Sequence, residues 1–143
     1  MEKKQPGEEF YTLKGYQDRE GAELTTAMED YLEMICRLTP PDQVVRVSEL
    51  SRQLHVKPPS ATRMLSQLSR AGYVSAEKYG YARLTEKGRQ AGNYLLYRHE
   101  VIHRFLRALN RTDNELEQVE KIEHFLNRET VENLAALTAV MEK

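Results

Sequence analysis

Three groups of side chains in this sequence have the types and spacing for metal chemistry. In "MEDYLE" Asp30 and Glu33 stand at i and i+3, and in "VEKIEHFL" Glu120, Glu123 and His124 stand at i, i+3 and i+4. On helices each set shares one face. Between them "HEVIH", residues 99–103, matches H-E-x-x-H, which puts two imidazoles on one helical face to grip zinc, with the glutamate as general base. Taken alone, that motif describes a metalloprotease. A zinc protease also needs a third ligand and a peptide cleft, and a match this short arises readily on charged helices. Asp30, Glu33, His99, Glu120, Glu123 and His124 together offer four carboxylates and two imidazoles. Such a mixed oxygen and nitrogen set suits Mn²⁺ or Fe²⁺ in one or two six-coordinate sites, and the lack of a thiolate argues against a soft metal. Each residue by itself reads as a solvated helix charge, and spacing does not show that three helices converge.

The chain has 143 residues, enough for one ordinary domain or two small lobes, and 40% of them are apolar. There is no run of eighteen apolar residues and no basic segment leading into an apolar one, so neither a transmembrane span nor a signal peptide is expected. The single cysteine, Cys36, fits a reducing cytoplasm. The net charge of −1 hides an uneven distribution. From Arg46 to Arg89 there are nine Lys or Arg against three acids, or +6, and from Glu100 to Lys143 six against nine, or −3. A basic middle beside an acidic end suggests one part that meets a polyanion and another that meets a cation.

Elements must position these groups. Residues 1–23 are polar and aperiodic and read as a mobile tail. "TTAMEDYLEMICRLT" opens with Thr26 three residues before Glu29, a capping-box spacing, and Met28, Leu32, Ile35 and Leu38 follow at helical intervals. Val47, Leu50 and Leu54 mark a short helix. After the turn "HVKPPS" a second helix is expected from about Pro59 to Ala71, with Ala61, Met64, Leu65 and Leu68 inward. This pair is the helix-turn-helix pattern. "YVSAEKYGYARLTEKG" reads as a hairpin wing around Gly80. Thr85 caps a long helix to about Leu109, and Thr112 with Glu115 forms a second capping box that opens the helix carrying Glu120, Glu123 and His124. "RETVENLAALTAVME" forms the last helix. The expected fold is mainly α: a winged helix-turn-helix over 24–90, then a helical dimerisation and metal-binding domain over 91–143.

On the second short helix Lys57, Pro59, Ser60, Thr62, Arg63 and Gln67 face outward. Arg pairs with guanine, Gln with adenine, and Ser or Thr with phosphate or a base edge. Lys78, Tyr79 and Arg83 place the wing at the DNA backbone. Short amphipathic helices commonly just pack, but the turn, the wing and the local charge together favour DNA.

The blocks "MEDYLEMI", "KPPSATRMLSQL", "AEKYGYARLTEKG", "LLYRHEVIHRFL" and "VEKIEHFL" together resemble the DtxR/MntR family of metal-dependent repressors, over about residues 24–140. The resemblance implies a cytoplasmic homodimeric repressor that binds a double-stranded DNA operator and controls metal uptake genes. It also implies a two-metal site between the DNA-binding and dimerisation lobes, with Asp30, Glu33, His99, Glu120, Glu123 and His124 as ligands and Glu123 as the bridge. Iron-type members carry a Met and a Cys in their ligand set, so this chain resembles the manganese-responsive branch, with Fe²⁺ as the alternative ion. Close relatives continue into a further helix, and iron-type ones into a further domain. In this reading only His99 of "HEVIH" is a ligand, and His103 is not. The rival expectations are a metal-independent winged-helix regulator and an H-E-x-x-H zinc protease.

Overall fold

The computed structural model describes residues 12–20 and 24–143. Among them run helices α1 (Leu13–Glu20), α2 (Thr26–Leu38), α3 (Val47–Leu54), α4 (Pro58–Arg70), α5 (Glu86–Asn110), α6 (Leu116–Ile122) and α7 (Arg128–Met141). Strands β1 (Val44–Arg46), β2 (Val74–Glu77) and β3 (Tyr81–Leu84) complete the fold. No helix among the described residues is long and apolar enough to cross a membrane. Most of the tail expected over 1–23 lies outside the described residues, and the part within them is the short helix α1.

The cap of α2 falls one residue earlier than the sequence suggested. Thr25 Oγ1 accepts the Met28 amide at 3.1 Å, which stabilises the helix start by about 1 kcal/mol. Either of two adjacent threonines fits the capping pattern, and the choice of Thr25 frees the Glu29 side chain from the box. The helix-turn-helix forms as expected. His55, left-handed at φ 56°, ends α3, and Pro58 and Pro59 occupy the first turn of α4, where a missing N–H costs nothing. Ala61, Leu65 and Leu68 are buried beneath α4.

The wing is the antiparallel hairpin β2–β3, with Val74 opposite Leu84 and Glu77 opposite Tyr81. Its tip holds Tyr79 at φ 64° and Gly80 at φ 78°. β1 was not anticipated, because three residues are too few to show a period of two. It pairs with β3, Val45 opposite Ala82, and gives the sheet order β1-β3-β2.

α5 has 25 residues, about 37 Å at the rise of an α-helix, and Thr85 Oγ1 caps it by accepting the Gly88 amide. The helix runs antiparallel to α2. At Gly92 an added Cβ would lie 2.7 Å from Cys36 Cβ, so the two helices approach where only glycine fits. α5 also passes through two separate cores. Leu95 belongs to the first, with Leu32, Ile35, Leu50 and Leu68, while Ile102 and Leu106 belong to the second, with Val119 and the flanking Phe105, Ile122 and Leu134. His99 stands between them, and the boundary expected at 90/91 falls inside this continuous helix.

The expected helix over 112–126 is divided. Thr112 Oγ1 donates to the Glu115 carboxylate rather than accepting a backbone amide, so no capping box forms and α6 begins at Leu116. α6 ends at Ile122, whose φ −106° and ψ −18° lie at the edge of the right-handed helical region, and Glu123–Phe125 follows as a single 3₁₀ turn.

Candidate metal centre and DNA-facing surface

The antiparallel crossing of α2 and α5, closed by the 3₁₀ turn, gathers five of the six expected ligands. Single donor atoms from Glu33, His99 and Glu123 lie within 4.8 Å of one another, and so do donors from Asp30, Glu123 and His124. In the first group His99 Nδ1 is 2.7 Å from Glu123 Oε2 and 3.4 Å from Glu33 Oε1. In the second, His124 Nε2 is 3.0 Å from Asp30 Oδ1 and 4.0 Å from Glu123 Oε1. Glu123 stands in both groups and is 2% exposed. An octahedral ion with donors at ~2.1 Å puts adjacent donors ~3 Å apart and opposite ones ~4.2 Å apart, so these spacings fit small divalent ions. The donors are oxygen and nitrogen throughout, and the one cysteine, Cys36, instead donates to Asn93 Oδ1.

The electrostatics agree. Four carboxylates, Glu29, Asp30, Glu33 and Glu123, gather here with two guanidiniums, Arg37 on Glu33 and Arg98 on Glu29, so with neutral imidazoles two negative charges are in excess. Burial and the neighbouring Glu123 charge push the Glu33 carboxyl up to about 7. The hydrogen bond to Glu123 raises His99 above its ordinary value against the effect of burial. Burial pulls His124 down, but hydrogen bonds to Asp30 and Glu29 outweigh it and raise the ring to about 9. Without a cation, the site holds on to protons to offset its own charge.

Glu120 is not brought into either group. It is exposed on α6, while Glu123 and His124 belong to the 3₁₀ turn that follows. Two residues that were not among the expected ligands also reach the site. Glu29 Oε1 is 2.9 Å from His124 Nδ1, and Arg98 contacts both Glu29 oxygens at 3.2 and 3.4 Å. The available signal was adjacency, since each directly precedes an expected ligand. His103 is outside both groups: its Nε2 accepts the Glu115 amide at 3.1 Å, and Glu100 is exposed.

Lys57, just before α4, and Pro59, Thr62, Arg63 and Gln67 on it are exposed, and Ser60 is half-buried. At the wing tip Lys78 is exposed and Tyr79 is 92% exposed. Arg83, half-buried on β3, contacts Glu77 at 3.3 Å and the Asp42 carbonyl at 2.5 Å. Strand pairing turns it toward these acceptors.

Residues 23–82 match the family model described as iron dependent repressor, N-terminal DNA binding domain. Residues 85–143 match iron dependent repressor, metal binding and dimerisation domain. An HTH-type transcriptional regulator MntR from Lysinibacillus sphaericus is 38% identical over 120 residues, covering 83% of this chain and 86% of the relative. The regulator of the same name from Bacillus pumilus is 36% identical over 120 residues, 83% of each chain. Among solved structures, the manganese regulator SloR superposes with a TM-score of 0.68 at 29% identity over 80% of this chain. ScaR, a manganese-activated repressor, superposes in its Zn²⁺-bound form with 0.64 at 27% over 77%. The chain spans about half the length of these two structures, 54% and 52%.

Proposed function

This chain belongs to the iron-dependent repressor family, and from that premise we propose that it is a repressor responsive to Mn²⁺. It is a metal-dependent, DNA-binding transcriptional regulator that acts as a dimer, and it is not an enzyme. The protease reading of "HEVIH" is thereby set aside, as is the metal-independent regulator. In the proposal Glu33, His99 and Glu123 hold one ion and Asp30, Glu123 and His124 a second, so each subunit takes two. The observation that carries it is the shared, buried Glu123 at the junction of two cores. The all-oxygen-and-nitrogen donors, with a carboxylate at Asp30, and the manganese regulators among the relatives favour Mn²⁺ over Fe²⁺.

The two lobes divide along α5 near His99. A divalent cation supplies the positive charge that the junction lacks. With that charge in place Glu33 and Glu123 would no longer repel, and α2, already packed on α5, would be tied to the 3₁₀ turn, which would fix the winged helix relative to the helices that dimerise. Two recognition helices α4 are thereby set for successive major grooves, with Lys57, Pro59, Ser60, Thr62, Arg63 and Gln67 toward the DNA and Lys78 and Tyr79 at its backbone. Arg83, on the adjoining strand β3, joins them. The protein works in the cytoplasm on genes for metal uptake. The test is a gel shift with DNA from upstream of its own gene and of nearby transporter genes. A complex that forms with Mn²⁺ and dissolves with chelator is expected; a complex indifferent to both contradicts the proposal.

A further inference from the structure

His124 is gripped from both sides. Its Nε2 faces Asp30 Oδ1 at 3.0 Å, while its Nδ1 lies 2.9 Å from Glu29 Oε1 and, at the longer 3.5 Å, near Arg98 Nη2, so the carboxylate is the closer partner. An imidazole binds a metal only through an unprotonated nitrogen, and the hydrogen bond at the other nitrogen decides which one that is. A proton kept at Nδ1 by Glu29 leaves Nε2, the atom beside Asp30 and Glu123, as the donor. We propose that Glu29 and Arg98 are a positioning pair: Glu29 fixes the tautomer and ring orientation of His124, and Arg98 holds Glu29 in place and keeps its charge out of the metal's own shell. This rests on the reading of Asp30, Glu123 and His124 as ligands.

The Arg98 side chain is 6% exposed, and its two terminal nitrogens address both Glu29 oxygens. That fork has the planar geometry for which arginine is suited and lysine is not. Arg98 Nε is buried without a hydrogen-bond partner, a cost that an apolar residue of similar volume would avoid if packing α2 on α5 were the only role. Glu29 is also displaced from the ligand groups by this pairing. Although it adjoins Asp30 in sequence, neither group includes it. His99 provides the contrast, since its Nδ1 itself faces both of its carboxylates.

The test measures Mn²⁺ affinity by calorimetry and, with Cd²⁺ as a diamagnetic probe, the ring-nitrogen NMR shifts of labelled histidines in the full chain. Removing an outer carboxylate partner lowers affinity about 10- to 100-fold in comparable sites, and that loss is expected for Glu29→Ala. Glu29→Gln, whose amide oxygen still accepts from Nδ1–H, should recover most of it. His124 should show a metal-bound Nε2 and a protonated Nδ1 in the wild type and in Glu29→Gln, and a mixture of forms in Glu29→Ala. Wild-type affinity together with an unchanged His124 signal in Glu29→Ala overturns the proposal. Arg98→Lys keeps the charge but loses the fork and serves if Glu29→Ala does not fold. A several-fold loss of affinity at an unchanged melting temperature supports the pair, and unchanged affinity and shifts overturn it. Glu123→Gln is measured in parallel: if it too leaves affinity unchanged, the ligand reading has failed and the positioning role falls with it.

Discussion

Glu123 is a carboxylate removed from water beside a second carboxylate, and Glu33 registers it by holding its proton to about 7. His124 holds its proton to about 9. Metal needs both groups deprotonated, so Mn²⁺ affinity should rise with pH across this range, and binding at pH 7.5 should release protons. Calorimetry in two buffers of different ionisation enthalpy measures the release; a heat independent of buffer contradicts it. The metal-free protein should show the converse trend. Both folded values lie above the ordinary 4.5 and 6.5, so these groups favour folding most at low pH. The Glu33 contribution fades from 4.5 to about 7, and that of His124 from 6.5 to about 9. His103 makes the opposite kind of prediction. Its Nε2 caps the start of α6 through the Glu115 amide, so His103→Ala should cost about 1 kcal/mol in thermal melts and leave the Mn²⁺ response intact. Loss of that response would restore "HEVIH" as a metal motif.

At the scale of elements, the crossing of α2 and α5 brings Glu33 to His99, and Gly92 sets how closely they cross. Gly92→Ala drives a methyl into Cys36 Cβ and should cost about 1–3 kcal/mol in denaturant melts while weakening Mn²⁺ binding in step. An unchanged metal affinity in a destabilised variant would show that the crossing does not set the site. At the wing, Tyr79 pays for a left-handed backbone while its ring is 92% exposed. Tyr79→Gly should hold or raise stability by up to about 1 kcal/mol and weaken operator binding in a gel shift. Helices with a long apolar period, α2, α4 and α5, were legible in the sequence, as were the Pro-Pro turn and the hairpin. β1 was too short to carry a signal. The structure leaves Glu120 exposed on α6 while Glu123 and His124 lie on the 3₁₀ turn that follows, and nothing local in the sequence marks that change of helix type. The cap of α2 was expected one residue late because two adjacent threonines fit the same spacing, and Glu29, outside the box, meets Arg98 instead.

Over the whole molecule, α5 threads two cores, and His99 with its carboxylate neighbours stands between them. No periodicity in the sequence could show that meeting of α2, α5 and the 3₁₀ turn. It depends on packing between residues as far apart as Asp30 and His124, and only family resemblance brought them together beforehand. A charged junction between two apolar bodies is suited to coupling. Metal favours the DNA-competent arrangement only as far as it binds that arrangement more tightly. Coupling of this kind is reciprocal, with factors of about 5- to 150-fold being typical. The decisive measurement is therefore the Mn²⁺ affinity of the wild-type dimer with and without saturating operator DNA, beside the operator affinity with and without Mn²⁺. The two ratios should be equal, above about 5-fold, and abolished in Glu123→Ala. A Mn²⁺ affinity that operator DNA leaves unchanged would contradict a metal site that governs DNA binding.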